Sequence, residues 1–253
     1  MTAVQQQQQK IETTVKLGAE IQQQEKVKTG IPGMDELVEG GLVQCSSILL
    51  RGEAGSGKTI FGLQFLKNGA DAGEPGVFLS VEEEKKDLLR ESTRFGWNIE
   101  ALERQKKLAI VEQQAQYALT INLLRSTVET LGAKRVVIDS IPSLFSSYPN
   151  ELRPSEWRSS FRLLCRLLTE ECGCTTILIT EAGWATGNDF EEYVTKGVIE
   201  LQVKVMDGVM RRFLLVKKMR EVRHSRRLHL YEITKDGFAL FSSSVTKGGE
   251  KNV

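Results

Sequence analysis

Residues 52–59 read Gly52-Glu53-Ala54-Gly55-Ser56-Gly57-Lys58-Thr59. Glycines at these positions let backbone N–H groups curl around an anion without Cβ clashes. The pattern G-x-x-x-x-G-K-T is that of a loop holding a nucleotide triphosphate. Lys58 would reach the β- and γ-phosphates and the Thr59 hydroxyl would ligate Mg²⁺. The flanks agree. Ser47-Ile48-Leu49-Leu50 is a short apolar run suited to a buried strand, and Ile60-Phe61-Gly62-Leu63-Gln64-Phe65-Leu66 carries helical spacing. The first amides of that helix, Ile60 included, and its positive dipole end add to the cradle. A plain glycine-rich turn would need neither the full match nor this context.

Triphosphate chemistry needs a second acidic group for the metal, at the end of an apolar strand. Arg135-Val136-Val137-Ile138-Asp139 supplies it, with Asp139 at the carboxyl end, the edge where open α/β sheets bind ligands. Alone, such an aspartate reads as a turn former or helix cap; beside the loop it reads as a metal ligand. A carboxylate must also orient and polarise the attacking water. Glu82-Glu83-Glu84 follows the apolar run Val77–Val81 at the same edge. Glu82 and Glu83 are the catalytic candidates, and Glu84 fits a solvated helix start. Thr180-Glu181, ending another strand, either senses the γ-phosphate or satisfies loop backbone.

These groups need a scaffold. Strands are expected at Val77–Val81, Leu108–Val111, Arg135–Asp139 and Thr176–Thr180. Helices are expected at Lys85–Phe95, about 120–131 and about 154–171. The alternation predicts an α/β fold with a mostly parallel twisted sheet and helices on both faces. Past Gly197 the helices stop. Runs at Val198–Val205, Arg211–Met219, Arg227–Ile233 and Phe238–Phe241, with turn signals Asp207-Gly208 and Asp236-Gly237, predict an antiparallel hairpin extension.

The 253 residues suit one large domain, expected over 26–241. Residues 1–25 read as a disordered or weakly helical glutamine-rich tail and 242–253 as a flexible one. A 40% hydrophobic and 26% charged composition is that of a soluble globular chain. No run suits a membrane span, and Gln5–Gln9 stand where a signal-peptide core would lie, so a cytoplasmic protein is expected. A net charge of +1 leaves nucleic-acid binding to local patches. Cys45, Cys165, Cys172 and Cys174 suggest neither a disulfide framework nor a metal site, since Cys172-Gly173-Cys174 has no second pair or nearby histidine.

Val27-Lys28-Thr29-Gly30-Ile31-Pro32-Gly33-Met34-Asp35-Glu36-Leu37, followed by Gly40-Gly41-Leu42, resembles the lead-in of KaiC and RadA-type members of the RecA superfamily. Phe78–Glu83 is similar to the KaiC stretch whose paired glutamates serve catalysis, and Val137-Ile138-Asp139-Ser140 to its Walker B strand. The likeness spans about 27–241. It implies a RecA-like P-loop core that forms a ring, usually a hexamer, with ATP between subunits. Lys218-Met219-Arg220 and His224 match the K-x-R-x-x-x-H segment with which KaiC domains reach a neighbour's ATP. A basic hairpin face in solvent is the other reading; a cation delivered across the interface would stabilise phosphate charge. KaiC has two such domains in tandem, and its autophosphorylated half carries adjacent Ser and Thr where Glu192 and Tyr193 stand here, which disfavours autokinase chemistry.

Three roles follow as expectations. The first is a slow Mg²⁺-dependent ATPase ring read by a protein signalling partner. The second is a DNA-binding repair ATPase using Lys217, Lys218, Arg220, Arg223, Arg226 and Arg227, with Trp184 stacking on bases. The third is a nucleotide-binding module without turnover.

Overall fold

Strands apolar at nearly every position require a sheet covered on both faces, and the central parallel strands are so covered. The computed structural model describes residues 25–114, 116–147, 153–181 and 190–241. The glutamine-rich start, the segment with Trp184 and the residues after Phe241 lie outside them.

The lead-in forms a small antiparallel pair, β1 (Lys26–Val27) with β2 (Leu42–Val43), around a short helix α1 (Met34–Leu37). The main sheet then takes β3 (Ser47–Gly52), β4 (Gly76–Ser80), β5 (Leu108–Glu112), β6 (Arg135–Asp139) and β7 (Thr175–Glu181). It is completed by β8 (Gly197–Met206), β9 (Val209–Met219), β10 (His229–Thr234) and β11 (Gly237–Leu240). The order across its nine strands is β11-β10-β9-β8-β3-β7-β6-β4-β5. Every pairing from β8 to β5 is parallel, and β9, β10 and β11 run antiparallel.

Alternate residues feed opposite faces. Ile48 and Leu50 pack with Phe61 and Phe65 of α2 (Lys58–Asp71), with Leu88 of α3 (Lys85–Thr93) and with Ile99 of α4 (Ile99–Arg104). Leu49 and Val136 face Leu124 of α5 (Tyr117–Leu131), Phe145 of α6 (Ile141–Ser146) and Phe161 of α7 (Pro154–Arg166). α7 runs on into a π-helical turn, Leu167–Glu171. α2 is buried nearly all round because β11 covers its outer side: Phe61 meets Phe238 edge-on at 5.2 Å, and Gln64 bonds both Phe238 N and O.

The expected elements are present with ends shifted by a few residues. One expectation needs correction. β8 is not antiparallel; it pairs in parallel with β3, and the antiparallel extension starts at β9. The reason is α8 (Phe190–Val194), which precedes β8 and was too short to read from periodicity. α4 and α6 escaped notice for the same reason. The Asp207-Gly208 turn has positive φ at both positions, 54° and 75°, as a two-residue hairpin of this twist needs.

Candidate functional site

The six parallel strands bring their carboxyl ends to one edge, and the predicted loop residues sit there. Gly55 and Gly57 have φ of 75° and 90°, a region side chains avoid. A Cβ on Gly57 would also stand 2.8 Å from Ile233 Cδ1. Gly57 precedes the first residue of α2, so Lys58, Thr59 and Ile60 form its first turn. Lys58 Nζ donates to the Gly52 and Glu53 carbonyls at 2.9 Å each, and Ser56 Oγ donates to Glu53 O at 2.7 Å. Burial pushes the Lys58 ammonium below its ordinary pKa, against the pull of Asp139, Glu181 and Glu82.

Thr59 Oγ1 donates to Asp139 Oδ2 at 2.7 Å, joining α2 to the end of β6. One strand, β7, lies between β3, which leads into α2, and β6. Burial lifts the Asp139 carboxyl to about 6; Glu82 adds to the rise, while Thr59 and Lys58 oppose it. Glu83 is raised too, first by burial and then by Glu91, Asp139, Asp87 and Glu82. The two glutamates are held differently. Glu82 Oε1 accepts from the hydroxyls of Ser140 and Ser143, whereas Glu83 lines the open cleft. Glu84 pairs with Lys86 in solvent, which fits its reading as a helix start. Thr180 is buried, and its hydroxyl has no partner among the described residues, so it does not satisfy loop backbone. Glu181 is exposed at the end of β7 beside Gly52.

Above the loop lies a cleft of about 650 Å³. Lys58, Thr59, Glu83, Phe95, Arg212, Ile233 and Lys235 are among the residues that line it. Such a volume suits a small polar ligand with a planar part.

Lys218 and Arg220 stand elsewhere. Lys218 pairs with Val198, and Val198 with Leu49, so it sits about 10 Å below Gly52 along the strands. Its ammonium donates to Thr195 O at 2.6 Å and to Glu192 O, and Arg220 donates to Tyr193 O at 3.1 Å. Burial, with Arg220 nearby, pushes Lys218 down to about 8 against the pull of Glu192. Lys217 and Arg51 pair with the Glu192 carboxylate. His224 lies near Val222 O at 3.4 Å, outside the cleft. Thus the structure gathers Lys58, Thr59, Asp139, Glu82 and Glu83, and leaves Lys218, Arg220 and His224 apart.

Sequence reasoning missed several participants. Tyr231, fully buried in β10, donates its hydroxyl to Ser56 O at 2.6 Å and stacks on Phe238 at 4.2 Å. Arg212 brings into the cleft wall a guanidinium whose Nε is buried without a partner among the described residues. Ser140 and Ser143 had only a weak signal, two hydroxyls just after the Asp139 strand.

The donor chemistry fits a hard divalent cation. A hydroxyl and a carboxylate in contact offer oxygen ligands, and a half-buried acid lifted to about 6 gains when a cation replaces its proton. The loop glycines and Lys58 fit a triphosphate.

A model of the KaiC ATPase family matches residues 27–245. A UPF0273 protein of Thermotoga maritima is 36% identical over 248 residues, covering 89% of this chain and 98% of that protein. The circadian clock protein KaiC2 of Synechocystis is 34% identical over 229 residues, 85% of this chain and 40% of that protein. A solved KaiC-like protein of Pyrococcus horikoshii has a TM-score of 0.77 and 39% identity, covering 86% of this chain and 99% of that one.

Proposed function

We propose that this chain, which belongs to the KaiC family of ATPases, binds ATP with Mg²⁺ over Gly52–Thr59 and hydrolyses it slowly within a ring of identical subunits, as a regulatory ATPase read by a protein partner. The observation that carries the reading is the contact of Thr59 with Asp139 at 2.7 Å, with the acid lifted and Lys58 lowered beside it. Both groups are held in an unfavourable charge state that a phosphate–metal ligand relieves.

Loop amides and Lys58 hold the phosphates. Thr59 and Asp139 would hold the metal, which would neutralise phosphate charge. Glu82 accepts a proton from the attacking water, with Glu83 beside it at the cleft wall. Phe95 and Ile233 offer apolar cover for the base.

Support for assembly comes from what one subunit lacks. Lys218 and Arg220 face α8 rather than their own loop, which leaves them free of any role at the subunit's own phosphates and fits delivery to a neighbour's nucleotide, beside Lys58 and Arg212 supplied in place. The β8–β9 hairpin extends past Gly52 and exposes Val205, Met206, Val209 and Met210, apolar surface that a second copy would cover.

The DNA reading has less support. Lys217, Lys218 and Arg220 are engaged within the protomer by α8, and no helix among the described residues that could signal a membrane role instead is long and apolar enough to cross one. Absence of single-stranded DNA binding at low salt would remove the DNA alternative.

Phosphate release, run beside light scattering with and without ATP, tests the main reading. Arg220→Ala should cut turnover at least about 100-fold with ATP affinity within about threefold. An unchanged rate overturns the neighbour's role. No phosphate release by the wild type with Mg²⁺ and ATP, in any oligomeric state, overturns the enzyme.

A further inference from the structure

The serines of α6 and its start do not behave alike. Ser146 and Ser147 donate to carbonyls three residues back, at 2.7 and 2.6 Å, the local bond typical of helical serines. Ser143 instead donates to Glu82 Oε1 at 2.6 Å, 61 residues away in sequence. Ser140 Oγ donates to the same oxygen and lies 3.1 Å from Ser143 Oγ. Two donors on Oε1 fix the carboxylate's rotation and leave Oε2 with no donor among the described residues. Glu83, next in sequence, has no such tether to α6.

We infer that Ser143 is a positioning residue for ATP hydrolysis: with Ser140 it holds Glu82 so that Oε2 takes the proton of the attacking water. This rests on the ATPase reading above and deepens it by separating the roles of the paired glutamates. In the step, the water oxygen bonds to the γ-phosphorus. The bond from that phosphorus to the β–γ bridging oxygen breaks, and its electron pair leaves with ADP. The proton passes to Oε2 and from there to solvent as phosphate departs. Ser140 adjoins Asp139, so its truncation would disturb the metal ligand as well. Ser143 is half-buried on α6 and separable from that ligand.

The test uses the full chain and five variants: Ser143→Ala, Ser143→Thr, Glu82→Gln, the Ala–Gln double variant and Ser146→Ala. Phosphate release is measured at saturating Mg²⁺–ATP, ATP affinity with a fluorescent analogue, and Tm by calorimetry. Ser143→Ala should lower kcat about 10-fold, with ATP affinity within about twofold and Tm within a few degrees. Ser143→Thr, which keeps the hydroxyl, should restore at least about half of the rate. On the Glu82→Gln background, Ser143→Ala should remove nothing further, because the serine acts only through that carboxylate. Ser146→Ala is the control on the same helix and should keep the full rate.

Three outcomes overturn the inference: an unchanged kcat in Ser143→Ala, a loss that threonine does not restore, or an equal further loss on the Glu82→Gln background. The layers stay distinguishable. A fully active Glu82→Gln removes the base and the serine's role together. An inactive Glu82→Gln beside an unaffected Ser143→Ala removes the serine's role alone.

Discussion

Strand β6 begins with Arg135 and ends with Asp139, and its two ends treat buried charge in opposite ways. Arg135 is 2% exposed, and each of its three guanidinium nitrogens is engaged. Nε and Nη2 meet Glu74 at 2.7 Å, Nη1 meets Phe65 O at 2.8 Å, Nη2 also meets Lys28 O at 2.9 Å, and the Phe65 ring lies 4.5 Å from the guanidinium carbon. Burial pulls its pKa down, and Glu74 opposes the shift. Asp139 has one hydroxyl donor, from Thr59, and is lifted to about 6. One end is closed by the protein itself. The other is met by one hydroxyl and the nearby Lys58, which do not offset its desolvation, and under the proposed function a divalent cation completes it.

The largest test of this contrast lies at the closed end. Arg135→Met strands Glu74 and two carbonyls, and should destabilise the fold by about 3–5 kcal/mol. At roughly 2–4 °C per kcal/mol for a chain of this size, Tm should fall by about 6–20 °C. ATP affinity of the remaining folded protein should be unchanged. A Tm within about 2 °C of wild type would mean that the guanidinium's contacts contribute little.

At the open end the sign reverses. The folded Asp139 titrates at about 6 against an ordinary value of 3.8, so its protonated form is favoured by folding. That contribution is present below about pH 4 and is lost as pH rises through about 6. At pH 8 the ionised carboxylate therefore costs the metal-free fold up to about 3 kcal/mol. Asp139→Asn should raise the metal-free Tm by several degrees at pH 8, and by little near pH 4, while abolishing Mg²⁺-dependent turnover. An equal shift at both pH values would show that charge is not the cause.

The smallest effect concerns the loop's brace. Tyr231→Phe keeps the stack on Phe238 but leaves the Ser56 carbonyl without its buried donor. The expected loss is about 1 kcal/mol, seen as an ATP affinity several-fold weaker with kcat retained. Equal affinity would make Tyr231 a packing residue only.

Much of the architecture was legible because it is local. The apolar runs of β3, β4, β6 and β7 have period and length, and the glycine loop has fixed spacing, so strand, loop and helix could be read in place. Parallel pairing then put Glu82 and Asp139 at the loop's edge, as expected. The parallel course of β8 was not legible, because five residues of α8 carry no readable periodicity. Lys218 and Arg220 were readable by resemblance as residues for a neighbour's nucleotide. Only the fold shows them turned toward α8, away from the subunit's own loop.

By itself the sequence determined which chemical groups this chain offers to a triphosphate and which strands carry them, since neighbouring residues along the chain set both. The tertiary structure alone decided how those groups are held. Ser56 meets Tyr231 across 175 residues, Ser143 meets Glu82 across 61, and Arg135 meets Lys28 across 107. Such contacts depend on which elements the sheet order makes neighbours, and no local period encodes that order.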